Sequence, residues 1–272
     1  MGSRRRSTLR VLGCALLITL QLAYIKMAVA ESIVGAEIAN IERLLDAERY
    51  ADADSKALLL LEQAYQQQKI PADEFLSLGV LFLNASRFEV SKVVFSAALE
   101  RYTAKGALSK MALTLLHLAT SERHLSNYDS SLAYVHRAMS IAQIERDDTL
   151  KARLNLELGT IQQQQGKIEI ALEPLKQALG YFRDNNMPSE MSLSLLHIGD
   201  LYSTLNQTSL AHTYYRDALE SIEKANDSRL LGIIIQLDSN ALERFLRFAT
   251  FRQYGVVVLA EQDGDDDGLE RG

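Results

Sequence analysis

Apolar and small side chains recur along this sequence at a spacing of forty. Leu78-Gly79, Leu118-Ala119, Leu158-Gly159 and Ile198-Gly199 each join an apolar residue to a small one at that interval. Twelve residues after each small residue comes another: Ser91, Ser131, Ala171 and Ala211. Seven further on stand Ala98, Ala138, Ala178 and Ala218, followed at once by Leu99, Met139, Leu179 and Leu219. Between the two sets lie Phe95, Val135, Leu175 and Tyr215. A fixed period of this length marks stacked units, each with an apolar face that only a neighbour covers. Two helices that pack closely need small residues where their axes cross and large apolar residues beside the crossing. The pattern therefore predicts antiparallel helix pairs, with Gly159 facing Ala171 inside a pair and Ala178 admitting the next pair. Three prolines and 14 glycines in 272 residues are too few for a sandwich or barrel. Pro174 falls inside a predicted second helix, where it removes a backbone bond and bends the helix.

These residues resemble the tetratricopeptide repeat family. Ile198-Gly199, Tyr202, Ala211, Tyr215 and Ala218-Leu219 carry the likeness best, and Leu158-Gly159, Gly166, Ala171, Leu175 and Ala178-Leu179 follow closely. It extends over residues 72 to about 225. Tyr50, Ala53, Ala57 and Leu60-Leu61 fit a degenerate first repeat shifted by two residues. The family's proline at the end of the second helix is absent, with Thr103, Gln143, Arg183 and Glu223 in its place. Without that stop each second helix is expected to run on for one or two turns, which lengthens the period. The resemblance implies an all-α, right-handed α-solenoid of antiparallel helix pairs over residues 31–250, with Leu230 to Phe251 as a terminal helix.

The family's inner, concave face comes from the first helix of each repeat, at positions not used for packing within the pair. By position the resemblance assigns to it Leu76, Val80, Leu83 and Asn84, then Leu113, Leu116, Thr120, Arg123 and His124. Arg153, Leu156, Thr160, Gln163 and Gln164 follow, with Leu193, Leu196, Asp200, Ser203 and Thr204 in the last repeat. Arg123, Arg153 and Asp200 are the foremost candidates for partner contact, since charge at a concave surface has little structural purpose. Lys176 and Arg216, on second helices, fall on the convex side. Members that grip a C-terminal carboxylate use Lys and Asn where Leu116, Thr120 and Leu156 stand here, so that partner class does not fit. The implied partner is a segment of another protein, held in the groove.

Charge and processing signals narrow the setting. Arg4, Arg5, Arg6 and Arg10 precede an apolar run from Val11 to Ile25, and Ala28-Val29-Ala30 supplies the small residues of a cleavage site. Residues 1–30 thus read as a signal peptide, cleaved after Ala30, that delivers the protein to the periplasm or outside the cell. Uncleaved, the segment would tie the chain to the membrane. Its removal leaves 24 basic residues (29 less 5) against 35 acidic ones, a net charge of −11. That balance argues against nucleic acid as a partner. Cys14, the single cysteine, is removed with the signal. It follows Val11-Leu12-Gly13, but Leu12 stands where a lipoprotein signal has a small residue.

Nothing in the sequence points to catalysis, a metal or a small-molecule cofactor. His117, His124, His136, His197 and His212 lack metal-type spacing, and His117 and His197 occupy one repeat position. Glu122 and the run Gln162 to Gln165 read as solvated helix positions. Residues 251–272 read as an acidic, disordered tail. In it Asp263, Asp265, Asp267 and Gly268 open like a calcium loop, but its twelfth position falls past Gly272. The expected function is that of an exported interaction protein. The alternative is a truncated periplasmic input module of a signalling protein, of the kind that precedes diguanylate cyclases and histidine kinases.

Overall fold

The computed structural model describes residues 34–67 and 70–225, and every regular element among them is an α-helix. In chain order they are α1 (34–46), α2 (Tyr50–Gln67), α3 (Ala72–Asn84), α4 (Phe88–Lys105), α5 (Leu108–His124), α6 (Tyr128–Glu145), α7 (Asp148–Gln164), α8 (Ile168–Asp184), α9 (Pro188–Thr204) and α10 (Thr208–Ala225). The fold is the expected all-α one, a tetratricopeptide-like α-solenoid of antiparallel helix pairs. The chain forms two compact units that divide between Lys110 and Met111. The signal peptide, the terminal helix and the acidic tail expected from the sequence lie outside the described residues.

The period is visible in the backbone as well as in the side chains. Ser86, Ser126, Gly166 and Asn206 all adopt positive φ, between 58° and 73° for the first three and 57° for Asn206. Each ends a first helix and hands the chain to the second. Gly106, Arg146 and Asn186 do the same at the far end of each pair, with φ of 65°, 56° and 53°. Left-handed residues of this kind satisfy the last carbonyls of a helix and reverse the chain. At Ser126, for example, its own amide reaches the Arg123 carbonyl and the next amide reaches that of Glu122. Only two of these seven corners use glycine, which pays no Cβ penalty there. Glu48 repeats the geometry thirty-eight residues before Ser86, in keeping with a first repeat shifted by two. Within it Ala53, Ala57, Leu60 and Leu61 are buried.

Close packing inside each pair follows from the small residue of the first helix. A Cβ added to Gly159 would lie 2.5 Å from Leu175 Cγ and 3.0 Å from the Ala171 carbonyl, and one at Gly199 would lie 2.6 Å from Tyr215 Cε1. At Gly79 it would clash with the edge of the Phe95 ring, at Cε1 and Cδ1. In two repeats the facing small residue is serine for a further reason. The Ser91 hydroxyl donates to the Gly79 carbonyl (3.1 Å), and that of Ser131 to the Ala119 carbonyl (2.7 Å). Between pairs, Leu175 and Leu179 join the buried cluster of Leu195, Ile198 and Leu201. Ala178 is fully buried beside Ala152 and Phe182, with Met187 and Met191 against them.

Two expectations need correction. The second helices pass Thr103, Gln143 and Arg183 but stop one or two residues later, not one or two turns. Seventeen-residue first helices, such as α5 and α7, share the extra length with second helices of 17 or 18. In addition, Glu122 is buried and accepts a hydrogen bond from Asn127 Nδ2 at 2.8 Å, so it fixes the turn after α5. Gln162 and Gln165 are half-buried, not solvated, while Gln164 is exposed. The helix α8 continues through Pro174.

Candidate functional site

In the second unit the three first helices α5, α7 and α9 present one face away from their second helices. On a 3.6-residue turn, Arg153, Glu157, Thr160 and Gln164 lie on the side of α7 opposite Gly159, whose own side meets Leu175. Leu113, His117, Thr120 and His124 hold the same positions on α5. Leu193, His197, Asp200 and Thr204 hold them on α9. Cross-links between these helices show that their faces adjoin. Arg123 Nε donates to Glu157 Oε1 at 2.7 Å, joining α5 to α7. Arg153 Nη2 donates to Glu190 Oε1 at 2.7 Å, and Gln163 Oε1 lies 2.9 Å from His197 Nδ1, joining α7 to α9.

The expected site residues divide into three groups. Leu116, Arg123, Thr160 and Asp200 are buried. Thr120, His124, Arg153, Leu156 and Gln163 are half-buried, and Ser203 is exposed. Asn84 is exposed too, but it belongs to the first unit. Thr120 and Thr160 turn their hydroxyls onto the carbonyls of Leu116 and Leu156 in their own helices. Leu156 packs against Ala152, Ala178 and Phe182 of its own pair and against the cluster that α8 shares with α9 and α10. Lys176 and Arg216 are exposed, as expected of the second helices.

Arg123 and Asp200 both have structural partners at this face. Arg123 and Glu157 side chains are 6% and 10% exposed, so this pair is a buried strut between two first helices. Asp200 is buried as well and accepts the Tyr215 hydroxyl at 2.6 Å, which ties α9 to α10. Both charges have structural work, because a buried ion persists only when paired or hydrogen-bonded. Arg153 stands differently, with its side chain 41% exposed beside a Glu190 that is 21% exposed.

Sequence reasoning missed the partners that hold these cations. Glu157 and Glu190 follow Arg123 and Arg153 by 34 and 37 residues, and His197 follows Gln163 by 34. A search for opposite charges slightly less than one period apart would have found both ion pairs.

Two histidines complete the face. Burial, and then the Arg153 charge, push the His117 pKa down to about 4. Burial followed by the Arg123 charge push that of His124 down to about 3. Arg123 Nη2 lies 3.2 Å from His124 Nε2. Since a guanidinium can only donate, that ring nitrogen accepts, which requires the neutral imidazole. Among the described residues no group of three or more His, Cys, Asp or Glu is placed to hold a metal ion, and no helix is long and apolar enough to cross a membrane.

Residues 110–184 and 193–224 match models of the tetratricopeptide repeat. The chain carries tetratricopeptide repeats. The two matched segments include all of α7 and most of α5 and α9. No curated protein matches the sequence. Among solved structures, the Rap conjugation gene regulator of the plasmid pLS20, in complex with the Phr* peptide, is similar at 17% identity and a TM-score of 0.57 over 79% of this chain and 62% of its own. Aspartyl phosphate phosphatase F from Bacillus subtilis is similar at 19% identity and 0.56, over 82% of this chain and 58% of its own. The apo form of RapI gives 12% identity and 0.59, over 82% and 83%. This chain therefore spans about three-fifths of the length of the first two proteins. At these identities the likeness concerns the fold alone.

Proposed function

We propose that this tetratricopeptide repeat protein is exported, through residues 1–30, and holds a segment of another protein against the first-helix face of α5, α7 and α9, without performing chemistry itself. The observation that carries the reading is the make-up of that face. It sets half-buried leucines and imidazoles beside exposed Gln164, Ser203 and Thr204, on three helices cross-linked into one surface. Recognition surfaces combine apolar area with a few oriented polar groups in this way. The pLS20 Rap regulator, solved with a bound peptide, supports the capacity of such a fold to hold one. Photocrosslinking tests the placement. A benzophenone side chain at Gln164 should yield an adduct with the partner in intact cells, and one at Arg216, on a second helix, should not. Adducts from Arg216 alone would move the working surface to the outer side.

A further inference from the structure

The charges of the first-helix face are already taken. From Met111 onward, α5, α7 and α9 carry Glu122, Arg123, Asp148, Lys151, Arg153, Glu157, Glu190 and Asp200. Three ion pairs account for six of them, Arg123–Glu157, Arg153–Glu190 and Lys151–Asp148 at 2.7, 2.7 and 2.8 Å. Glu122 is held by Asn127 and Asp200 by Tyr215. The rest of the face is apolar or uncharged: half-buried Leu113 and Leu193, exposed Gln164 and Ser203, Thr120 with its hydroxyl on the Leu116 carbonyl, and the neutral ring of His124 beside Arg123.

We propose that this face takes a partner segment of low net charge, mixing aliphatic side chains with neutral hydrogen-bonding ones, in preference to an acidic or a basic segment. The inference rests on the role proposed above for the face. A charged segment laid there would lose hydration without meeting an uncommitted countercharge, and burial of an unpaired charge is costly. Each sign would also meet its like, because cation and carboxylate are set side by side across the three helices. Aliphatic groups face no such cost, and burying them against the leucines is favourable in proportion to area. His117 and His124 keep to this scheme, for their surroundings hold both rings neutral at ordinary pH.

Panning a display library of random peptides against the full chain tests this. Selected peptides should be close to neutral and rich in aliphatic residues, and their Kd should change less than about twofold between roughly 50 and 500 mM NaCl, since screening acts only on uncompensated charge. Selection of strongly charged peptides whose affinity falls about tenfold over that range would overturn the proposal. A second arm opens one pair. Glu190→Gln leaves the half-exposed Arg153 without its carboxylate and should tighten binding of an Asp- and Glu-containing peptide by about tenfold at low salt. No tightening would mean that Glu190 does not neutralise Arg153. The exposed-site variants Gln164→Arg and Thr204→Arg separate the two readings. If selected peptides, of whatever charge, bind these as well as wild type, the face itself is not the site. Charged peptides that these variants weaken or strengthen would sink only the preference for neutral partners.

Discussion

Replacing Glu157 with glutamine removes one charge from a pair that has almost no water to replace it. The side chains of Arg123 and Glu157 are 6% and 10% exposed, with Nε and Oε1 2.7 Å apart. Arg123 would retain only a hydrogen bond to a neutral imidazole among the contacts described, so its charge stays buried without a counterion. Loss of one partner from a buried pair costs about 3–5 kcal/mol. The Arg153–Glu190 pair has the same 2.7 Å contact, but its side chains are 41% and 21% exposed. Water can solvate the orphaned Arg153, so Glu190→Gln should cost no more than about 1 kcal/mol. The joint replacement Arg123→Met with Glu157→Leu should recover most of the loss, because two apolar groups of similar volume leave no orphan charge. Urea titration of the full chain, followed by helical circular dichroism, reads all three. If Glu157→Gln and Glu190→Gln cost the same within about 0.5 kcal/mol, burial does not govern these pairs and the strut assignment is wrong.

Gly199→Ala should destabilise by about 1–3 kcal/mol through overpacking against Tyr215, whereas Gly180→Ala, whose Cβ meets nothing within 4 Å, should stabilise by about 0.5–1 kcal/mol through helix propensity. Equal effects in thermal melts would refute the close approach of α9 and α10. Ala178→Leu should likewise cost about 1–3 kcal/mol, and Gln164→Leu less than about 0.5 kcal/mol. Stability should fall as pH drops from about 7 to 5. His117 and His124 have folded pKa values of about 4 and about 3, below the unfolded value near 6.5. In that window the unfolded chain binds protons that the folded one refuses, at a cost of about 1–2 kcal/mol for each ring. The double variant His117→Gln, His124→Gln should flatten the slope, and an unchanged slope would remove these rings as its cause. N-terminal sequencing of the exported protein should return Glu31, while Met1 from a membrane fraction would indicate an uncleaved anchor.

The fold was legible because its determinants are local and repeated. Gly159 and Ala171 had to be small for two helices to touch, and the same demand recurs at Gly199 and Ala211, so a single sequence displays the constraint several times. The register of the degenerate first repeat was legible for the same reason, and Glu48 shows its two-residue shift in the backbone. The length of the helices was less so. Absence of a proline permits a longer second helix but does not say where it stops. That is set by left-handed corners, which Arg146 and Ser126 adopt without any glycine to announce them.

The charges of the face were misread because a helical wheel describes one helix at a time. On α5 alone, Arg123 looks like a cation with nothing beside it. Its partner sits on α7, thirty-four residues later, where a neighbouring first helix brings Glu157 alongside. Gln163 and His197 repeat that separation, and Arg153 and Glu190 nearly do. The spacing is shorter than the period because each link runs obliquely, from one first helix to a position nearer the start of the next. Once the period is known, the residue facing a position on the following first helix is therefore found one period ahead less three to six residues, about one to two helical turns. Applied to Arg123, this relation turns an apparent ligand grip into a buried helix-to-helix strut, and it pairs the half-exposed Arg153 with Glu190. What a partner would meet on the same face is then its half-buried leucines and its exposed Gln164, Ser203 and Thr204, set among charges that already have partners.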